Sequence, residues 1–211
     1  MLFRSGSRRV ALVGLGTGTL AAYARPGEAV TVYEIDRRVR DIAFDPEYFT
    51  YVSDARDRGA SIRVELGDAR VRLDAVRRER PGERYDLLVV DAFTSDAIPV
   101  HLLTREALRL YLEMLTPRGL IAFHISNRYL RLPPVVAALA EDARLGGRLV
   151  MDDSPTDVEG AFSSTWVVLA RTSEALGKLA DDERWRPTLE TDPKVGVWGD
   201  DFHNLLSVFK W

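Results

Sequence analysis

A glycine-rich segment is the first part of this sequence whose residue types and spacing suggest chemistry. The segment Gly14-Leu-Gly-Thr-Gly18 directly follows the apolar run Val10–Val13. Glycine has no Cβ, so the backbone can turn sharply and a ligand can approach it closely. A dinucleotide fingerprint G-x-G-x-x-G would need glycine at position 19, where this chain has Thr19. The observed G-x-G-x-G form favours an adenosyl-amino-acid ligand, so we predict that Gly14, Gly16 and Gly18 bind S-adenosylmethionine or its decarboxylated form. The alternative is a tight strand-to-helix turn without a ligand.

Two acidic residues stand at the ends of the next two predicted strands. Glu34 follows the apolar run Val30–Tyr33, 20 residues after Gly14, where a carboxylate can accept both ribose hydroxyls. Asp68 follows Gly67, and its carboxylate is suited to accept a hydrogen bond from the adenine amino group. The alternatives are a solvated acid for Glu34 and a helix cap for Asp68. Carboxyl ends of parallel strands share one edge of a sheet, so three features at three strand ends together indicate an adenosyl site.

A third acidic group lies on the loop after the most apolar predicted strand. Asp91 and Asp96 stand in the segment Asp91-Ala-Phe-Thr-Ser-Asp-Ala-Ile-Pro99. Two carboxylates on one loop form a pocket suited to a cationic amine. In an aminopropyl transfer an amine attacks the propyl carbon next to the sulfonium and methylthioadenosine leaves. We predict that Asp91 helps to take the proton of the amine and that Asp96 holds a distal ammonium. The alternative is that Asp91 caps a helix or bonds loop amides.

The chain contains three histidines and no cysteine. His101 and His124 are further candidate bases, and Arg128 and Tyr129 are candidates for the rim of the pocket because they follow the strand that ends at His124. No spacing of ligand residues suggests a metal site. The absence of cysteine excludes disulfides, thiolate metal sites and cysteine nucleophiles.

The composition indicates one globular α/β domain over residues 1–211, with residues 172–211 as a packed extension. The formal net charge is −3 and no run of like charge stands out, so we expect no nucleic-acid partner. No stretch approaches the roughly 18 apolar residues of a membrane helix and no signal peptide is present, so we expect a cytoplasmic protein without direct membrane insertion. We expect a small amine substrate as partner, and a homodimer stays open.

Apolar runs alternate with amphipathic stretches and thereby predict a doubly wound, Rossmann-like sheet of about seven strands. The connections predict parallel strands with right-handed crossovers. The predicted strands are 10–14, 29–33, 61–66, 85–90, 120–124, 148–151 and 165–170, and the predicted helices are 18–25, 37–43, 69–79, 103–115 and 133–143.

Together these segments resemble the spermidine synthase superfamily, especially the spermidine-synthase-like domains that bacteria often fuse behind a membrane transporter-like region. The resemblance rests on these segments, which cover most of the chain: Val13-Gly-Leu-Gly-Thr-Gly-Thr19, Tyr33-Glu-Ile-Asp36, Gly67-Asp-Ala-Arg70, Asp91-Ala-Phe-Thr-Ser-Asp-Ala-Ile-Pro99, Leu102-Leu-Thr-Arg-Glu-Ala107, His124-Ile-Ser-Asn127 and Gly199-Asp-Asp-Phe-His-Asn-Leu-Leu206.

The resemblance implies a class I methyltransferase-type fold, ribose binding by Glu34, a position of Asp68 near adenine, and a catalytic role for Asp91. Two departures accompany it. Nine residues precede the first predicted strand, so we expect the fold to lack the N-terminal β-hairpin domain of spermidine synthases. The family's Asp-Ser-Ser-Asp-Pro loop has its acids three residues apart, whereas Asp91 and Asp96 are five apart. This spacing indicates a different amine or a different reaction.

The leading hypothesis is therefore a spermidine-synthase-like aminopropyltransferase of polyamine metabolism. The first alternative is an S-adenosylmethionine-dependent methyltransferase, which must accommodate the α-carboxylate of its ligand. Asp91 beside the sulfur would repel that carboxylate and so favours aminopropyl transfer. A second alternative is a non-catalytic module that binds an adenosyl ligand. An NAD-dependent oxidoreductase fits less well because of Thr19.

Overall fold

The computed structural model describes residues 8–93, 99–152, 163–186 and 190–210. Seven strands form one sheet in the order β3-β2-β1-β4-β5-β7-β6, which confirms the predicted seven-stranded α/β fold. The strands are β1 (Arg9–Val13), β2 (Ala29–Glu34), β3 (Ser61–Leu66), β4 (Tyr85–Val90), β5 (Leu115–His124), β6 (Gly146–Asp152) and β7 (Ser164–Ala170). The α-helices are α1 (Arg37–Phe44), α2 (Tyr51–Asp57), α3 (Ala69–Glu79), α4 (Arg105–Met114), α5 (Pro133–Asp142) and α6 (Ser173–Leu176).

The sheet is mixed rather than wholly parallel. Strand β1 pairs in parallel with β2 and β4, and β2 pairs in parallel with β3. Strand β7 pairs antiparallel with both β5 and β6. The prediction of a parallel sheet is therefore right for β1 to β4 and wrong for β7. The segment between Asp152 and Ser164 is shorter than the dozen or more residues that a crossover to a parallel strand needs, so an antiparallel return is the accessible connection.

The chain divides into two compact units. The first contains Met1–Ala92 and Leu110–Gly119, and so includes β1 to β4 with α1 to α3. Its strands β1 and β2 are almost wholly buried, which explains their near-continuous apolar sequences. Helix α3 packs through its buried residues Leu73 and Val76. The candidate site residues Gly14, Glu34, Asp68 and Asp91 all belong to this unit, so its architecture alone positions them.

A buried network of polar side chains joins the strands of the first unit. The hydroxyls of Tyr33 and Tyr85 lie 2.7 Å apart, and the Tyr85 hydroxyl donates to Glu83 Oε1 at 3.1 Å. Glu83 in turn pairs with Arg63 and Arg80. Burial, reinforced by the neighbouring Tyr85, raises the pKa of Tyr33 far above its usual value. The Tyr33 hydroxyl therefore stays protonated, and its hydrogen bond with Tyr85 links β2 to β4 across the intervening strand β1.

The second unit contains Phe93–Arg109 and Leu120–Trp211. Its C-terminal residues return to its strands and helices through backbone contacts: Arg186 pairs with Leu149 of β6, and Phe209 forms a bridge with Leu130. Trp198 is 1% exposed, and its carbonyl accepts the Arg105 N–H at 2.8 Å. These contacts hold Arg186, Trp198 and Phe209 to the second unit, while the single domain with a packed extension over residues 172–211 stays a prediction.

Three local predictions are wrong in instructive ways. The predicted helix over 18–25 is a 3-10 helix over Thr19–Tyr23, because Gly18 is left-handed and Ala24 is already extended. The short helix α2 was not predicted, since only two of its residues, Val52 and Ala55, are buried and no apolar stripe marks it. Strand β5 begins at Leu115, five residues before the predicted start, because α4 passes directly into the strand.

No helix within residues 8–93, 99–152, 163–186 and 190–210 is long and apolar enough to cross a membrane. In the same residues no group of three or more histidine, aspartate or glutamate side chains is arranged to hold a metal ion.

Candidate functional site

The site begins at the loop that follows β1. The Gly14 N–H donates to the Tyr33 carbonyl of β2, and the Asp91 N–H donates to the Val13 carbonyl, both at 2.9 Å. These bonds tie the ends of β1, β2 and β4 together. A Cβ at Gly14 would lie 2.4 Å from the Asp91 carbonyl oxygen, and the φ of Gly14 is +94°. Gly14 is therefore required by the close approach of two loops, independently of any ligand.

Gly16 and Gly18 have different surroundings. Gly18 has a φ of +86°, and an added Cβ would lie 2.9 Å from Val52 Cγ2 of α2. Gly16 has a φ of +53°, yet an added Cβ would meet nothing within 4 Å. Gly18 thus permits packing inside the protein, whereas the bare backbone at Gly16 borders open space. Of the three predicted glycines, Gly16 is the one whose missing side chain leaves room for a ligand.

Glu34 is the last residue of β2, and its carboxylate is fixed at the glycine loop. Its Oε2 accepts the Leu15 N–H at 2.9 Å, and its Oε1 accepts the Asp36 N–H at 2.8 Å. The residue is only 7% exposed. A carboxylate offers about four acceptor positions, so two backbone bonds leave capacity for hydroxyl donors. A buried carboxylate held by two amides, with acceptor capacity remaining, fits the predicted binding of a diol.

Asp68 occupies the N-cap of α3. Its Oδ1 accepts the Val71 N–H at 3.0 Å, while the Gly67 N–H donates to the Glu34 carbonyl at 2.9 Å. The helix-cap alternative is therefore correct for one oxygen of Asp68. The cap fixes the carboxylate next to the end of β2, and the predicted contact with adenine stays a prediction.

Asp91 directly follows β4 and is half-buried. Its main chain is anchored by the bond to Val13 and by the close contact with Gly14. The backbone that carries this carboxylate is therefore held by the same loop that carries Gly16. Asp96 lies outside the described residues, so its predicted role stays a prediction.

Two apolar residues of the same unit were missed by sequence reasoning. Ile35 follows Glu34 and is 72% exposed, and Val71, in the first turn of α3, is 64% exposed. Each of these apolar side chains is open to solvent and close in sequence to a carboxylate that the structure fixes, Glu34 or Asp68. In the sequence, Ile35 could have been recognised as a candidate because it directly follows the buried strand that ends in the Glu34 carboxylate.

In the second unit, His124 lies within an aromatic cluster. Its ring stacks on Trp166 at 4.4 Å between centroids, and the edge of Phe93 contacts it at 4.9 Å. Its Nε2 lies 2.7 Å from Ser126 Oγ, which accepts the Thr165 N–H at 2.8 Å. The pairing of β5 with β7 places His124 opposite Trp166, so the stack follows from strand register. Trp166 was not predicted as a partner because β7 was expected to be parallel.

The remaining candidates of the second unit are on its surface. His101 belongs to a 3-10 helix over Val100–Leu102 and is exposed. Tyr129 is 48% exposed, and the Arg128 guanidinium lies 5.8 Å from the centre of its ring. These positions leave the roles suggested for His101, Arg128 and Tyr129 as predictions.

Comparison with known proteins agrees with the family resemblance predicted from the sequence. No family model matches the chain. Over 124 residues the chain is 33% identical to the polyamine aminopropyltransferase of Vibrio vulnificus, an alignment that covers 57% of this chain and 38% of that protein. The chain thus spans less than half the length of this relative. The relative's name agrees with the predicted class of enzyme, a transferase.

Solved structures show the fold. A probable spermidine synthase from Corynebacterium glutamicum has a TM-score of 0.55 and 19% identity, covering 78% of this chain and 56% of that chain. Human methyltransferase-like protein 13, solved in complex with SAH, has a TM-score of 0.55 and 17% identity, covering 83% and 79%. The predicted resemblance is confirmed: part of the chain is similar in sequence to a polyamine aminopropyltransferase, and the chain has the fold that a spermidine synthase and a methyltransferase-like protein share.

Proposed function

We propose that this chain is the adenosyl-binding part of an aminopropyltransferase that transfers the aminopropyl group of decarboxylated S-adenosylmethionine to an amine. The observation that carries the proposal is the Glu34 carboxylate, which two backbone amides fix against the glycine loop. The remaining lone pairs are available to the two ribose hydroxyls of an adenosyl ligand.

The rest of the nucleoside is assigned to neighbouring groups of the first unit. The open backbone at Gly16 accommodates the chain that leads to the sulfur. The exposed side chains of Ile35 and Val71 pack against the faces of adenine, and Asp68 accepts a hydrogen bond from its amino group. The cap to the Val71 N–H, which fixes the Asp68 carboxylate next to the end of β2, supports this assignment.

Asp91 acts in the transfer step. The neutral amine nitrogen attacks the propyl carbon bound to the sulfonium, the new C–N bond forms, and the S–C bond breaks. The bonding electron pair stays on sulfur, so the leaving group is neutral methylthioadenosine. The nitrogen then carries an excess proton, which passes to the Asp91 carboxylate and on to solvent. The anchored main chain of Asp91 supports this role, because a base must hold its position relative to the reacting nitrogen.

The methyltransferase alternative shares the same fold, as the similarity to human methyltransferase-like protein 13 illustrates. The two reactions differ in one group of the ligand, the α-carboxylate, which decarboxylated S-adenosylmethionine lacks. A carboxylate at position 91 attracts an ammonium and repels that group. Calorimetric titration with methylthioadenosine and with S-adenosylhomocysteine separates the two. Tighter binding of methylthioadenosine supports aminopropyl transfer, tighter binding of S-adenosylhomocysteine supports methyl transfer, and binding of neither refutes both.

The role of Asp91 is tested by Asp91→Asn, with the exposed Asp41→Asn as the matched control. We expect methylthioadenosine release, measured with decarboxylated S-adenosylmethionine and a panel of linear diamines, to slow by about 100-fold or more in Asp91→Asn, because general acid–base catalysis contributes about this much. Affinity for methylthioadenosine should change little. Unaltered turnover in Asp91→Asn would show that Asp91 is not the base. Binding of methylthioadenosine without turnover by the wild-type chain would instead support the non-catalytic module.

A further inference from the structure

The second unit contains a cleft of about 350 Å³. Its floor is apolar and is formed by Ile125, Leu149 and Met151, while Arg186, Glu190 and Lys210 line its rim. We call it the C-terminal cleft. Its size falls within the range of small-molecule sites, which typically combine an apolar lining with a few convergent polar groups. Met151 is 40% exposed, so the floor presents apolar surface to solvent.

Main-chain bonds hold both sides of the rim. Arg186 and Leu149 exchange two backbone hydrogen bonds, at 2.7 and 3.1 Å. On the other side the Lys210 N–H donates to the Tyr129 carbonyl, and Lys210 Nζ donates to the Asn127 carbonyl at 2.7 Å. The charged side chains at the rim are therefore carried by backbone that is fixed to β6 and to the segment after β5.

The rim carries an excess of positive charge. Arg131 also lines the cleft, but it pairs with Asp192 at 3.2 Å, so this pair is neutral. The Arg186 guanidinium makes no hydrogen bond or ion pair with any other residue that the structure describes, and the Lys210 ammonium donates to a neutral carbonyl. Glu190 is the remaining acid among the described residues of the lining. Among the described residues that line the cleft, two cations against one carboxylate leave a net charge of +1.

We propose that the C-terminal cleft binds a small organic anion, a carboxylate with an apolar body. The apolar body covers Ile125, Leu149 and Met151, and Arg186 pairs with the carboxylate in the forked geometry that suits guanidinium groups. The net positive charge of these lining residues disfavours an amine, so this ligand is of a different class from the acceptor of the proposed transfer. The inference rests on residues of the second unit alone and is independent of the proposed function.

Two probes of equal size and opposite charge test the proposal. Naphthalene-2-carboxylate and naphthalen-2-ylmethylammonium are titrated into the full chain by calorimetry at low ionic strength. We expect the carboxylate to bind saturably and at least about tenfold more tightly than the ammonium, with the difference reduced as salt screens the partly exposed charges. Absence of saturable binding, or equal affinity for the two probes, overturns the proposal.

Arg186→Ala locates the binding. The contact of Arg186 with Leu149 uses main-chain atoms, so this variant should keep the fold, which a thermal unfolding curve verifies. We expect the affinity for the carboxylate to fall about tenfold. The matched control is Arg184→Ala, since Arg184 is an exposed arginine that pairs with Asp182 and does not line the cleft. Equal affinities of Arg186→Ala and Arg184→Ala would overturn the proposal.

Discussion

The glycine loop permits a prediction that separates structural glycine from ligand-binding glycine. Gly16 and Gly27 both have positive φ, at +53° and +80°, and an added Cβ at either position meets nothing within 4 Å. Gly27 lies before β2, whereas Glu34 is the last residue of that strand. Alanine at either position should therefore cost only the left-handed backbone penalty. Gly14→Ala should cost more, because its Cβ would lie 2.4 Å from the Asp91 carbonyl oxygen.

The magnitudes follow from these contacts. A left-handed alanine costs about 1–2 kcal/mol, which corresponds to a fall in Tm of roughly 2–8 °C for a chain of this size. Gly14→Ala adds an overpacking cost of about 1–3 kcal/mol, so we expect a loss of about 2–5 kcal/mol in the free energy of unfolding. In binding, Gly16→Ala should weaken methylthioadenosine at least about tenfold, whereas Gly27→Ala should leave the affinity unchanged.

Denaturant unfolding and calorimetry measure both effects on the same three variants. Equal affinities of Gly16→Ala and Gly27→Ala for methylthioadenosine would refute the assignment of the open space at Gly16 to the ligand. Equal stabilities of Gly14→Ala and Gly27→Ala would refute the close approach of the loops after β1 and β4.

Three further predictions concern other residues of the first unit. Glu34→Gln places an amide donor against one of two backbone N–H groups. We therefore expect the free energy of unfolding to fall by about 1–3 kcal/mol and the affinity for methylthioadenosine to fall at least about tenfold. Unchanged binding, with the exposed Glu47→Gln as control, would contradict the diol assignment. Asp68→Ala removes the cap of α3 and should lower the unfolding free energy by about 1 kcal/mol. Asp68→Asn keeps an acceptor oxygen, so its unfolding free energy should stay close to that of the wild type. Equal losses in the two variants would argue against the cap. Burial raises the pKa of Tyr33 and of Tyr85 above 10.0. Above about pH 10 the unfolded chain therefore releases protons that the folded chain keeps. The free energy of unfolding consequently falls as the pH rises. Each tyrosine contributes up to about 1.4 kcal/mol per pH unit to this fall in the free energy of unfolding. Tyr33→Phe should therefore make the fall less steep when denaturant unfolding is measured between pH 9 and 11. An unchanged slope would count against the buried network.

The sequence predicted most accurately those elements that follow glycine or proline turns and whose apolar residues recur with a clear period. The bounds of β3, α3 and β4 were predicted correctly, because a glycine or proline turn precedes each of them and their periodicity is unambiguous. The position of Glu34 was also predictable, since an apolar strand must deliver its last residue to the sheet edge.

The remaining features depend on contacts that periodicity does not encode. The direction of β7 follows from the length of its connection to β6, and the stack of His124 on Trp166 follows from that direction. The distinction among the three glycines depends on what lies near each missing Cβ, which only the folded arrangement shows. The cap formed by Asp68 was foreseen as an alternative, because Gly-Asp before an amphipathic run is equally typical of a helix start.

The backbone pair between Arg186 and Leu149 has a consequence for assembly. Strand β6 is the last strand in the sheet order, and an edge strand offers unpaired N–H and C=O groups to any second chain. At Leu149 both groups are already bonded to Arg186. A neighbouring molecule could not add a strand across this position without first displacing that segment, so the bridge acts as a guard against edge-to-edge aggregation. Surfaces other than the middle of this edge are left for association with further copies.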